Sequence, residues 1–271
     1  MLTTEFQPRH ATPPLASLPL ALPVQAADGL ARRPAPRAVD AQPSRRIGEM
    51  LALLGDALQP QKRIVRAGDV LYRAGERFDC LHVLNSGMVK VVKLSADGRE
   101  QVVGIKFRGD WLGLDGIAGG TYGCDGIAMD TGEVWSFRYG ALLNSCGREP
   151  ALLTALHAAM SQQIACDRES LMAVCTLPAD ARVANFLRFI AESLATRGMR
   201  TDQITLRMTR AEIGNYLGLT LESVSRALSR LAREKVIAFV EKGRREVQIP
   251  DIQSLADFVH RSLAPEALVL Q

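Results

Sequence analysis

The chain has 271 residues, 47% hydrophobic and 23% charged, with a formal net charge of +4 and an isoelectric point near 8.9. That length leaves room for two domains and a tail, and the composition is that of a soluble globular protein, which excludes a membrane-spanning one. The mild basicity is compatible with nucleic acid as a partner but does not by itself argue for it.

Residues 1–46 are rich in Ala, Pro and Arg, lack sustained periodicity and contain few aromatics, so they are expected to form a disordered extension. A targeting peptide is the competing reading. Prolines interrupt the apolar stretch from Leu15 to Ala27, however, and no basic region immediately precedes it, so a secretory signal is set aside and a cytoplasmic location expected.

Residues 47–147 read as a β-domain. From about Arg63 to Phe137, short β-like runs alternate with glycine turns at Gly68, Gly75, Gly87, Gly98 and Gly109, while Val89, Val91, Val92, Val102 and Val103 favour strands. Turns at such regular intervals predict a sandwich or jelly-roll barrel.

Residues 148–177 read as one long helix, with Pro150 at its start and Pro178 just beyond its end. Leu153, His157, Met160, Ile164, Asp167, Leu171 and Val174 recur at alternating spacings of four and three, which is a coiled-coil seam and predicts a homodimer. Packing within one subunit is the alternative. Asp167 interrupts the apolar stripe, and two such carboxylates facing each other would repel, so Asp167 is a candidate for tuning the monomer–dimer balance.

Residues 178–250 carry the most specific signal. Thr209 and Glu212 make a capping box and predict a short helix; Gly218 supplies the backbone freedom at its end, and Thr220 caps a second helix running to about Glu234. On that second helix Val224, Leu228 and Leu231 face a core, leaving Glu222, Ser225, Arg226, Ser229, Arg230 and Arg233 outward. This is a helix-turn-helix, whose second helix enters the DNA major groove with its N-terminal residues nearest the base edges. Glu222, Ser225 and Arg226 are the candidate base readers. Arginine can pair bidentately with guanine, glutamate can accept from cytosine N4, and serine can bond several edges, so the half-site should contain a G·C pair. The competing reading is an amphipathic hairpin with a solvated charged face.

Beyond it, Ile237–Val240 and Glu246–Ile249 read as two strands around a basic glycine turn, making the motif winged. Lys242, Arg244 and Arg245, with Thr209, Ser229 and Arg230, are the candidate contacts to the DNA backbone; for the three wing cations a solvated hairpin tip is the alternative. From Arg200 to Arg245, ten lysines and arginines face five acids, a local excess on the proposed DNA face. Residues 251–271 are assigned a C-terminal helix and tail. The expected fold class is therefore α+β: a jelly-roll barrel, a long dimerisation helix and a winged helix-turn-helix domain.

The run from Thr209 to Arg226, Thr-Arg-Ala-Glu-Ile-Gly-Asn-Tyr-Leu-Gly-Leu-Thr-Leu-Glu-Ser-Val-Ser-Arg, is similar to the recognition motif of the CRP/FNR family of bacterial transcription regulators, and resembles the FNR branch most. The resemblance covers about Leu53 to Val259. It implies a β-roll sensor, a dimerisation helix and a DNA-binding domain in that order, with RNA polymerase as a further partner. It also places Glu222, Ser225 and Arg226 at the three base-reading positions of an inverted repeat related to TTGAT and ATCAA, separated by four base pairs.

Neither familiar effector of that family matches this chain. A cyclic nucleotide needs an arginine or a nest of amides for its phosphate, yet from Gly109 to Phe137 there is no Lys or Arg, while Asp110, Asp115, Asp125, Asp130 and Glu133 are acidic. Where cyclic-nucleotide members have a Gly-Glu pair and a downstream Arg-Ser pair, this chain has Gly113-Leu-Asp-Gly and Cys124-Asp-Gly. An iron–sulfur cluster of the FNR type takes clustered N-terminal cysteines and one in the β-roll. Here the cysteines are Cys80, Cys124, Cys146, Cys166 and Cys175, with no Cys-x-x-Cys pair, and Trp135 stands at the β-roll position. No cyclic AMP, no cluster and no metal are expected. Haem through Cys80 and His82 is set aside in favour of a core histidine, and the cysteines are read as small buried hydrophobes, except that Cys175, near the junction with the DNA-binding domain, is a candidate redox site.

An enzyme is the competing class, since β-barrels also house metal-dependent catalysts. The four histidines, His10, His82, His157 and His260, form no His-x-His pair or nucleophile–base constellation, so no catalytic residue is assigned. A purely architectural DNA-binding protein is a third reading, which would leave the sensor-like domain unused.

Overall fold

The structure, a computed structural model, describes residues 42–95, 98–240 and 245–263. The expectation for residues 1–41 lies outside the described residues. Residues 42–46, assigned to the extension, belong instead to a helix, α1 (Gln42–Leu58). Its Ile47, Leu51, Leu54 and Leu58 recur at helical spacing, and Leu51 and Leu54 are buried against Trp111, Trp135, Leu152 and Leu156.

Eight strands follow: β1 (Gln61–Val65), β2 (Val70–Tyr72), β3 (Cys80–Ser86), β4 (Val89–Leu94), β5 (Glu100–Lys106), β6 (Trp111–Leu112), β7 (Asp125–Ala128) and β8 (Gly132–Arg138), with a short helix α2 (Gly116–Gly119) after β6. They form two antiparallel sheets, in orders β1-β8-β3-β6 and β2-β7-β4-β5. Tyr72 and Val89 of the second sheet share one buried cluster with Leu84 and Leu112 of the first, which is the packed interior of the expected β-roll.

Helix α3 (Tyr139–Cys146) leads to the long α4 (Pro150–Thr176), whose Pro150 stands at the first helical position. Leu152 and Leu156 of α4 are buried against the first sheet and α1. Most of the predicted seam points the other way: Leu153, Met160, Ile164 and Leu171 are 36–65% exposed, and His157 and Asp167 are also exposed. Val174 departs from it. It is half-buried and lies against Gly218 of the helix-turn-helix, because the last turn of α4 passes over that domain.

The C-terminal domain comprises α5 (Ala179–Thr196), β9 (Gln203–Thr205), α6 (Arg210–Leu217), α7 (Leu221–Arg233), β10 (Ala238–Phe239), β11 (Glu246–Gln248) and α8 (Ile252–Leu263). The predicted wing hairpin is part of a three-stranded sheet, β10-β11-β9. This domain rests on the second sheet of the β-roll. Val92, Val102, Ile105 and Phe107 share one apolar cluster with Phe186, Ile190, Ile213 and Leu217, so the interface between the two domains is a continuation of the core.

Candidate nucleic-acid interface

Local chemistry starts and stops the two helices of the motif. Thr209 Oγ1 accepts from the Glu212 backbone N–H, and Glu212 Oε2 accepts in return from the Thr209 backbone N–H at 2.8 Å. Two orphan donors of the first turn are thereby satisfied, a contribution of about 1 kcal/mol. Gly218 ends α6 at φ +65, a left-handed position that favours glycine. Gly214 is required for a different reason: a Cβ there would stand 2.6 Å from the Leu219 carbonyl oxygen, so only glycine lets the turn fold back against α6. Thr220 Oγ1 then accepts from the Ser223 backbone N–H and opens α7.

On α7 the buried side is Val224, Ala227, Leu228 and Leu231, each no more than 2% exposed. This anchors the helix and fixes which face is outward. Glu222 and Arg226 are exposed and Ser225 half-buried, all within the first half of the helix. Glu222's carboxyl is held below the usual range by its own backbone N–H and by the Thr220 side chain, so it is an ionised acceptor. Arg226 makes one long bond, Nη2 to Ser223 Oγ at 3.4 Å, and is otherwise available.

The other expected backbone contacts divide. Thr209 serves its capping box, and Ser229 Oγ donates to the Ser225 carbonyl at 2.9 Å. Arg230 is engaged by two carboxylates, Nη1 to Asp180 Oδ2 at 2.7 Å and Nε to Glu234 Oε1 at 2.9 Å. Arg245 lies just before β11, its carbonyl accepting from Leu206. Lys242 and Arg244 lie outside the described residues.

Fastenings between the β-roll and the C-terminal domain leave little mark in the sequence. Asn215 of α6 pairs with the main chain of β5 like an added strand: its Oδ1 accepts from Val102 N at 2.6 Å and its Nδ2 donates to the Glu100 carbonyl at 2.7 Å. Lys90 of β4 pairs with Glu212; although burial pushes the Glu212 carboxyl up, the bonds from Lys90 and Thr209 outweigh it and hold its pKa below the ordinary value. At the end of α5, Arg197 binds Asp110 at 2.6 Å and the Arg108 carbonyl at 2.7 Å. A polar side chain on an otherwise apolar domain face is the only trace of these partners in the sequence.

The β-roll interior is filled by aromatic side chains. Tyr72 and Tyr122 stack there with ring centroids 4.3 Å apart, Tyr122 donates to the Cys80 carbonyl, and Phe78 abuts Gly116 so closely that a Cβ would clash at 2.6 Å. Asp115, beside the short α2, accepts from Gly123 N at 2.9 Å. His82 stacks on Tyr72 in the same interior, with ring centroids 5.3 Å apart. It is 7% exposed, its Nδ1 is bonded to Ser136 Oγ at 2.7 Å, and burial, then the charge of Arg63, pushes its pKa down to about 4. It is a neutral core histidine. Among the described residues, no group of three or more His, Cys, Asp or Glu side chains could hold a metal ion. Cys175 is exposed at the end of α4, next to the α4–α5 junction. No helix of the described residues is long and apolar enough to cross a membrane.

Comparison with known proteins agrees with this architecture. A family model described as cyclic nucleotide-binding domain matches residues 62–149, and one described as Crp-like helix-turn-helix domain matches residues 181–258. The fumarate and nitrate reduction regulatory protein of Vibrio cholerae serotype O1 is 31% identical over 183 residues, covering 68% of this chain and 73% of that protein. The anaerobic regulatory protein of Pasteurella multocida is 30% identical over 68% of this chain and 67% of its own length. Among solved structures, FixK2 from Bradyrhizobium japonicum superposes with a TM-score of 0.66 at 26% identity, covering 77% of this chain and 99% of that one. The sensor-like β-roll, the long helix and the winged motif thus have relatives in the same order, and the chain belongs to the CRP/FNR family of transcription regulators, with a helix-turn-helix DNA-binding domain.

Proposed function

We propose that the protein binds, as a homodimer in the cytoplasm, an inverted-repeat operator related to TTGAT and ATCAA half-sites, and that it regulates anaerobic or microaerobic genes through contact with RNA polymerase. The observation that carries this reading is the exposed first half of α7, where Glu222, Ser225 and Arg226 are presented by a helix capped at Thr220 and anchored by Val224, Leu228 and Leu231. The exposed stripe of Leu153, Met160, Ile164 and Leu171 supports the dimer, because four apolar side chains along one helix face are left uncovered by the described residues. Asp167 lies within that stripe and would oppose close pairing through carboxylate repulsion. The names of the relatives, which speak of fumarate and nitrate reduction and of anaerobic regulation, support the gene class.

DNA binding in this reading requires neither cyclic AMP nor an iron–sulfur cluster. The aromatic filling of the β-roll and the Asp115 carboxylate argue against the first, and the scattered cysteines against the second. Thiol control through Cys175 is a second reading, favoured by its exposure at the α4–α5 junction; peroxide treatment that leaves DNA binding unchanged rules it out.

The test is a titration of the full-length protein against a duplex carrying the inverted repeat and one with both half-sites scrambled, at fixed salt and without added nucleotide. A preference of about a thousandfold or more is expected for a specific regulator. Equal affinity for the two duplexes refutes the reading.

A further inference from the structure

The start of α5 and the outward face of α7 enclose an open recess of about 600 Å³, lined by Asp180, Ser225, Arg226, Ser229, Arg230 and Arg233 among others. Three arginines and three serines around a solvent-open concavity make a surface suited to a phosphate of the DNA backbone. One member has the wrong charge. Asp180, in the first turn of α5, reaches into the recess and binds Arg230 Nη1 at 2.7 Å, while Glu234, four residues further along α7, binds Nε of the same guanidinium at 2.9 Å. Arg230 is thus shared between two carboxylates, and the trio carries a net charge of −1 on a face otherwise built for a polyanion.

We propose that Asp180 is an internal competitor for the operator backbone: it occupies, on Arg230, the place that a DNA phosphate would otherwise take. This rests on the reading of α7 as the DNA-reading helix and adds to it a residue that sets the strength of binding without touching a base. A phosphate entering the recess must displace the Asp180 carboxylate from Arg230 or bind beside it against its repulsion. Either way one phosphate interaction per subunit is suppressed. Glu234 cannot play the same part, because it bonds Nε from the same helix and does not line the recess, whereas Asp180 does and holds Nη1. The exposure of both partners, 49% for Arg230 and 28% for Asp180, means that the pair is solvated enough to open on the approach of a stronger anion.

The experiment compares full-length wild type, Asp180→Asn, Arg230→Gln and the double variant by fluorescence anisotropy on the inverted-repeat duplex, from 0.1 to 1 M salt. Each additional phosphate that the protein neutralises steepens the dependence of log affinity on log salt by about 0.9. Asp180→Asn is therefore expected to bind about eightfold more tightly per half-site at 0.1 M salt, to converge with wild type near 1 M, and to tighten on scrambled DNA by the same factor. In the Arg230→Gln background the same substitution should change nothing. Asp180→Ser, which keeps a helix-start side chain, supplies the same comparison should the amide loosen α5. Unchanged or weaker binding with an unaltered melting profile, or tightening that persists without Arg230, overturns the proposal. A wild type that fails to prefer the inverted repeat overturns the underlying DNA-reading assignment instead, so the two failures are distinguishable.

Discussion

Replacing Arg226 with alanine separates reading from folding. Within the protein Arg226 is exposed and makes a single 3.4 Å bond to Ser223, so its removal should change stability by less than about 0.5 kcal/mol. On DNA the loss is larger. A bidentate arginine–guanine pair discriminates by about 1–3 kcal/mol, and a two-fold operator contains two of them, so the loss is about 2–6 kcal/mol. At about 1.4 kcal/mol per decade, this is a weakening of roughly 30-fold to 20,000-fold. The assay is anisotropy titration against the inverted repeat and against its scrambled counterpart, with thermal melting as the control for folding. The two duplexes carry the same number of phosphates, so the loss should be confined to the inverted repeat and the salt slope should be unchanged. Equal weakening on both duplexes, with a slope shallower by about 0.9 per half-site, would identify Arg226 as a backbone contact and refute its assignment as a base reader.

Three further outcomes follow from packing and charge. Leu231→Ala removes a side chain that is 0% exposed at the centre of the C-terminal core, and should cost about 2–5 kcal/mol in urea denaturation; a loss below about 1 kcal/mol would mean that the site collapses around the cavity. Asn215→Ala deletes both bonds to β5 and should increase hydrogen exchange at the Val102 amide by at least about tenfold, whereas unchanged protection would show that packing alone holds the β-roll against α6. His82 makes stability depend on acid: its folded pKa of about 4 lies below the unfolded value of 6.5, so the unfolded chain takes up the proton first. Stability should be full above about pH 6.5 and fall by about 3 kcal/mol as the pH drops to 4; His82→Asn should flatten that slope, and an unaltered slope in the variant refutes the assignment.

The motif that reads DNA is legible in the sequence because its signals are local. Thr209 and Glu212 are three residues apart, Gly218 marks a backbone angle, Thr220 caps its own helix, and Val224, Leu228 and Leu231 mark a face by their spacing alone. Each of these acts over four residues or fewer, within the range over which helix geometry dictates who meets whom. The jelly roll is legible for the same reason, through β-branched runs and glycine turns. Helix α1 carries an equally plain apolar spacing at Ile47, Leu51, Leu54 and Leu58, but the Ala, Pro and Arg-rich composition before it obscures where the helix begins.

The tertiary structure decided the partners of charged and polar side chains. Arg230 has the same outward position on α7 as Arg226, and nothing in the periodicity distinguishes them. Asp180, 50 residues earlier, engages one and leaves the other with a single long bond to Ser223. Val174 continues the seam in register, yet the helix-turn-helix covers it; Asn215 is one more polar residue on a short helix until β5, more than a hundred residues earlier, lies beside it. Residue type and spacing determine which face of an element is apolar. Which ion meets which counter-ion depends on how the elements dock, because Coulombic and hydrogen-bond partners are chosen by distance in space.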